Sequence, residues 1–122
     1  DVTKAGIDAA TMAKVENLVV SDILPGATTA AAHVLLPGCA PVEKRGTFVN
    51  GKGRVQRFQK AFDGRGDARA EWEWLLEVAV ALGVAAPCRS IEGLFNQMAA
   101  DVPALAGLEW ARLGDHGVSV PV

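Results

Sequence analysis

LVVSDILPGATTAAAHVLLP, residues 18–37, decides the fold class of this chain. Leu18, Val19 and Val20 form an uninterrupted apolar run. That is the pattern of a strand covered on both faces, as strands of parallel sheets are. Asp22 follows at the C-terminal end of the run, the edge of an open α/β sheet at which ligands bind. It either meets a donor-bearing ligand there or caps the local turn, and turn capping is the commoner role. Thr28 or Thr29 can cap a single helical turn reaching Ala32. Val34–Leu36 then reads as a second short apolar strand, stopped by Pro37-Gly38. Upstream, Ile7–Val15 reads as a short amphipathic helix, with Asp8 as its cap and Ile7, Met12 and Val15 as its larger apolar residues. The expected fold class is therefore α/β, and the piece is the closing part of an α/β layer. Two strands of this length make a poor sheet by themselves.

The next stretch, EKRGTFVNGKGRVQRF, spans Glu43 to Phe58. Phe48, Val55 and Phe58 supply strand-type side chains on either side of Asn50-Gly51, a strong short-range hairpin signal. The spacing predicts a β-hairpin near residues 47–58, with Arg54, Arg57 and Lys60 along its outgoing arm. DGRGD, residues 63–67, is a loop in which Asp67 caps a helix over Ala68–Leu82. Trp72, Leu75, Leu76, Ala79 and Leu82 form the apolar stripe of that helix, Glu71, Glu73 and Glu77 lie mostly off it, and Gly83 is its C-cap. A second C-terminal amphipathic helix runs from Ser90, as N-cap, to about Asp101, with Ile91, Leu94, Phe95 and Met98 on one face and Pro103 as the stop. A turn or short strand is expected around Trp110, and an extended piece over Val118–Val120. Residues 1–62 thus read as the end of an α/β layer with its hairpin, and 63–122 as a helical segment.

The bulk properties narrow the function. A chain of 122 residues favours one domain. Half of it is apolar, 21% is charged and the mean hydropathy is +0.21, which is apolar for so small a domain and implies that part of the surface meets another domain or subunit. A net charge of −2 and a pI near 5.6 argue against nucleic acid as a partner, and the basic residues from Lys44 to Lys60 read as a solvated hairpin edge. No apolar run reaches the roughly 18 residues a membrane span requires, so no membrane insertion is expected. With Asp1 first and no secretory signal, the expectation is a soluble fragment or processed chain.

Cys39 and Cys88 lie too far apart in sequence, and too poor in companions, for a zinc or iron–sulfur site. They read as two reduced, packed thiols. His33 sits in an apolar run and His116 in a glycine-rich loop, neither beside a nucleophile. No P-loop or dinucleotide fingerprint occurs. No catalytic residue, metal ligand or self-contained active site is read from the residues themselves.

One family carries much of this pattern. The strand Val19 to Asp22, Thr28 to Val34, the LLP of Leu35 to Pro37, Glu43, Gly46-Thr47, Asn50 and Arg54 to Gln56 together resemble a signature of the molybdopterin oxidoreductase superfamily. GDARAEWEWLLEVAVALG (66–83) and LFNQMAADVPALAGLEWARLG (94–114) resemble its following helices, so the similarity covers about residues 7 to 114. Within the superfamily, GTFVNGKGRVQ (46–56), with glycine at 53, is most similar to the large iron–sulfur subunit of NADH:quinone oxidoreductase (complex I).

That resemblance implies a non-catalytic structural portion of an oxidoreductase that supports electron transfer from NADH to quinone. It implies no cofactor in this chain, iron–sulfur clusters elsewhere in the parent subunit, other subunits of a respiratory or redox complex as partners, and a peripheral place on the cytoplasmic side of a membrane. The alternative is a fragment of a molybdopterin-dependent enzyme such as formate dehydrogenase, which helps to bind a molybdopterin guanine dinucleotide. In that case Glu43, Asn50 and Arg54 are the implied cofactor contacts.

Overall fold

The computed structural model describes residues 2–86 and 88–121. Two small sheets carry the chain. In the first, β1 (Val19–Asp22) and β2 (Val34–Pro37) are parallel, in register Val19↔Val34 through Asp22↔Pro37. Their connection, residues 23–33, has about the dozen residues a parallel crossover requires and contains α2 (Ala27–Ala30). The second sheet is antiparallel, in the order β3 (Gly46–Val49), β4 (Arg54–Phe58), β5 (Val118–Ser119). The mixed α/β class expected from residues 18–37 is the one observed.

Several element boundaries differ from the sequence reading. The first helix, α1, covers Ala9–Met12 instead of Ile7–Val15. Asp8 caps it as expected, with Oδ1 accepting from the Thr11 N–H at 2.7 Å. It stops early because the Lys14 and Val15 N–H groups bond the carbonyls three residues back, at Thr11 and Met12. Met12 is buried but Ile7 and Val15 are exposed, and a single turn gains little without a buried face. In α2 the N-cap is Gly26, not a threonine. Thr29 reaches back instead: its hydroxyl oxygen accepts from the Gly26 N–H at 2.8 Å. Thr28 is buried, and its hydroxyl oxygen accepts from the Val2 N–H at 3.0 Å.

The hairpin turn is tighter in logic than Asn50-Gly51 suggests. Gly53, not Gly51, takes positive φ, at +71°. The Gly53 N–H donates to the Asn50 carbonyl at 2.9 Å, closing a four-residue turn. Asn50 is thus the first residue and glycine the fourth, the preferred places for both.

The third helix, α3, spans Glu71–Ala81 and starts three residues later than expected. Asp67 does not cap it, because residues 68–70 are drawn out as an extended segment. The Arg69 N–H donates to the Pro37 carbonyl at 3.1 Å, and Arg69 forms a parallel bridge with Gly38. The far end is as expected. Gly83 has φ +83°, its N–H bonds Val80, and the Val84 N–H bonds Ala79, which is the Schellman pattern. The apolar stripe is not core, however: no residue of α3 is buried, and Leu75 and Leu82 are 68% and 78% exposed.

The core lies further along. The last helix, α4 (Ile91–Asp101), capped by Ser90 Oγ accepting from the Gly93 N–H, buries Phe95 and Ala99 against Val55 of β4, Trp110 and Leu113. Phe95 and Trp110 meet edge-on at 5.9 Å. A 3₁₀ turn at Trp110–Arg112 and the strand β5 close the cluster. The extended piece expected over Val118–Val120 therefore has a definite role, with Val118 registered on Val55.

Candidate functional site

The three residues implied as cofactor contacts do not converge. Glu43 sits at the base of the hairpin, where its Oε2 accepts from the Ala40 N–H at 2.9 Å. Asn50 is at the tip, its Oδ1 accepting from the Lys52 and Arg54 N–H groups at 2.9 and 3.0 Å. Arg54 Nη1 donates to the carbonyls of His116 and Gly117 at 3.0 and 3.5 Å. Base and tip are separated by the length of β3, about 13 Å at the usual rise of a strand. The set suits two ends of an extended ligand, not one compact group. Asn50 Nδ2 and the remaining guanidinium N–H groups of Arg54 are donors on exposed residues at the tip.

The basic residues of this region are largely absorbed by carboxylates. Lys44 pairs with Glu71, Arg45 with Glu92, Lys60 with Asp63 and Arg57 with Asp115. Arg69 pairs with Glu77 and lies 4.2 Å over the Trp74 ring. Arg45 lies 5.6 Å over Trp110. The Lys60–Asp63 hydrogen bond holds the lysine above and the aspartate below their ordinary pKa values. Glu92 is held low, first by its own backbone N–H and also by Arg45.

Lys44, Arg45, Lys60, Asp63, Arg69 and Glu92 rim a cleft of about 620 Å³ whose wall includes Cys39, Glu43, Gly64 and Arg89. Burial, with help from Glu43 and Glu71, pushes the Cys39 thiol up, so it stays protonated and is a poor nucleophile. Both Cys39 and Cys88 are free thiols. His33 Nδ1 accepts from the Leu18 N–H at 2.9 Å, which places its proton on Nε2. His116 is exposed. The Asp22 carboxylate takes the Ile23 and Leu24 N–H groups at 2.7 and 3.4 Å, the turn-capping role. Among the described residues no group of His, Cys, Asp and Glu could hold a metal ion, and no helix is long and apolar enough to cross a membrane.

Sequence reasoning missed the clasp that holds these parts together. Asn96 Oδ1 accepts from the Trp110 N–H at 2.9 Å, Trp74 Nε1 donates to the Pro37 carbonyl at 3.0 Å, and Arg54 reaches a loop more than sixty residues away. Local pattern carries no signal for contacts at that separation.

Residues 2–81 match the family model of molybdopterin oxidoreductases. The F420-dependent formate dehydrogenase 2 subunit alpha of Methanococcus maripaludis is 38% identical over 105 residues, covering 84% of this chain and 16% of that protein. The F420-dependent formate dehydrogenase subunit alpha of Methanocaldococcus jannaschii is 34% identical over 106 residues, covering 85% and 16%. The NADPH-Fe(3+) oxidoreductase subunit alpha of Geobacter sulfurreducens is 39% identical over 95 residues, covering 78% and 11%. The chain therefore spans no more than about a sixth of the length of these relatives.

Proposed function

We infer the function from one premise: this chain belongs to the molybdopterin oxidoreductase family. On it we propose that the chain is a supporting segment of the α-subunit body of a molybdopterin-dependent oxidoreductase of the formate dehydrogenase kind, and that it performs no turnover by itself. The observation that carries the reading is the similarity to formate dehydrogenase α subunits across 84% and 85% of the chain. The competing assignment to the large subunit of NADH:quinone oxidoreductase leaned on Gly53. That glycine serves the turn itself, at φ +71°, and the similarity to formate dehydrogenase α subunits over most of the chain favours the other reading.

In this proposal residues 1–62 close the α/β layer with its hairpin, 63–122 are the helical segment that follows, and the partners are the remaining parts and subunits of the enzyme, with the whole placed peripherally to any membrane. Asn50 and Arg54 offer N–H donors at the hairpin tip to an anionic part of a pterin dinucleotide, while Glu43 holds the base of the hairpin in shape through the Ala40 N–H. The dinucleotide, when bound, supplies the metal that exchanges electrons with substrate. This chain's residues position and do not react.

The test is to isolate the native assembly that carries the chain and to measure molybdenum or tungsten together with released, oxidised pterin. Stoichiometric metal and pterin are expected. An assembly that contains iron–sulfur clusters, lacks pterin and reduces quinone with NADH overturns the proposal in favour of the complex I assignment.

A further inference from the structure

The ladder between β1 and β2 begins with a side chain. Its backbone bonds join even-numbered residues: the Val34 N–H donates to the Leu18 carbonyl at 3.2 Å, and the Gly38 N–H to the Asp22 carbonyl at 3.0 Å. One step further toward the start of the strands, the same alternation asks the Ala32 carbonyl to accept from the Leu18 N–H. Ala32 sits instead in the turn that leaves α2, where its N–H bonds the Thr29 carbonyl. The imidazole of His33 takes the place of that rung, with Nδ1 accepting from the Leu18 N–H at 2.9 Å. The His33 N–H donates back to the Leu18 carbonyl at 2.9 Å. One residue thus holds both backbone groups of Leu18, on the step just before the Val19↔Val34 pair.

This rung differs in kind from a backbone rung. A carbonyl accepts at any pH, whereas an imidazole accepts only through an unprotonated nitrogen. Imidazole is also the side chain that ordinarily changes charge between about pH 5 and 8. A proton on Nδ1 turns the acceptor into a donor that faces a donor, and the Leu18 N–H loses its partner. His33 is exposed, so a proton reaches it without unfolding. The charged residues of the surrounding elements are few. Residues 8–18 carry Asp8, Lys14 and Glu16, the 3₁₀ turn Val2–Ala5 that packs on α2 carries Lys4, and β1 carries Asp22 at its far end. α2 and β2 carry none. Among the described residues no hydrogen bond or ion pair joins any of these groups to His33, so none of them replaces the lost rung.

We propose that His33 is a pH-sensitive latch on the parallel sheet. Its unprotonated imidazole closes the start of the β1–β2 ladder, and protonation of Nδ1 opens it, so that the sheet frays from the Leu18 end while the Asp22–Gly38 end stays paired. The bond is present at the higher pH and lost at the lower. The latch is a property of these two strands and their crossover, whichever oxidoreductase carries the chain.

Amide hydrogen exchange resolved to single residues, on the protein in its native assembly at about pH 7.5 and about pH 5, tests the latch once rates are corrected for the chemical pH dependence of exchange. Protection at Leu18 is expected to fall about five- to tenfold at the lower pH, the loss of one hydrogen bond, while Gly38 changes by less than about twofold. His33→Asn places a carbonyl oxygen near the position of Nδ1 and does not titrate, so it should keep Leu18 equally protected at both pH values. Undiminished protection at Leu18, equal losses at Leu18 and Gly38, or a loss that persists in His33→Asn overturns the inference. Should the variant fail to assemble, the comparison of Leu18 with Gly38 in the unaltered protein decides by itself.

Discussion

Gly53 and Gly117 sit at φ +71° and +70°, where an L side chain strains the backbone. At Gly117 there is also no room: an added Cβ would lie 2.2 Å from the Val55 carbonyl oxygen. Gly117→Ala must push β5 off β4, and a loss above about 2 kcal/mol in urea unfolding is expected. Gly53→Ala should cost roughly 1–2 kcal/mol. Gly51 has ordinary φ and open space around it, so Gly51→Ala should stay within about 0.5 kcal/mol. Equal losses at 51 and 53 would contradict the turn assigned here. At the same scale, Cys39 is buried and its thiol is held protonated, whereas Cys88 is half-buried. Iodoacetamide at mildly alkaline pH should label Cys88 well before Cys39, and the reverse order would refute the packing described for the cleft. Asn50 was legible as a turn residue because Asn-Gly is a hairpin signal in itself. Which of the nearby glycines bears the positive φ was not, since both alternatives use the same letters.

At the scale of elements, what was legible followed caps and what was missed followed tertiary pairing. Asp8, Ser90 and Gly83 bound their helices as their chemistry dictates. Asp67 did not, because the Arg69 backbone finds a better partner in Pro37 than in a helical turn. The cap at Asp8 has a pH signature. Hydrogen bonds from Thr11 hold its carboxyl below the ordinary value. Its contribution is therefore present above the unfolded pKa and is lost as pH falls through the lower folded pKa. A carboxyl carbon titration should place the Asp8 midpoint below that of an aspartate in an unstructured peptide, and a midpoint at or above that reference would remove the cap. The core element prediction concerns Leu113, which is 2% exposed within the Val55–Phe95–Trp110 cluster. Leu113→Ala should destabilise by about 2–5 kcal/mol, while Leu75→Ala on the uncovered face of α3 should cost far less in the chain by itself. The helical period of α3 was read correctly. That its stripe would stay uncovered was not readable, because periodicity reports which face seeks burial, not whether a partner is present.

At the scale of the whole molecule, the positive mean hydropathy of +0.21 finds its explanation in the uncovered apolar residues of β1, β2 and α3. Among the described residues the buried cluster joins the hairpin to the C-terminal segment, and the parallel sheet has two strands. Glu43, Asn50 and Arg54 were singled out by family likeness, and the structure gives them backbone partners that a list of motif letters could not anticipate. The most direct test of the central claim is native mass spectrometry of the species that carries this sequence in its cells. The account predicts a mass far above the 12.7 kDa of the chain itself, which falls on harsh activation into oxidoreductase subunits and a pterin dinucleotide. A stable, ligand-free species of the chain's own mass would contradict it.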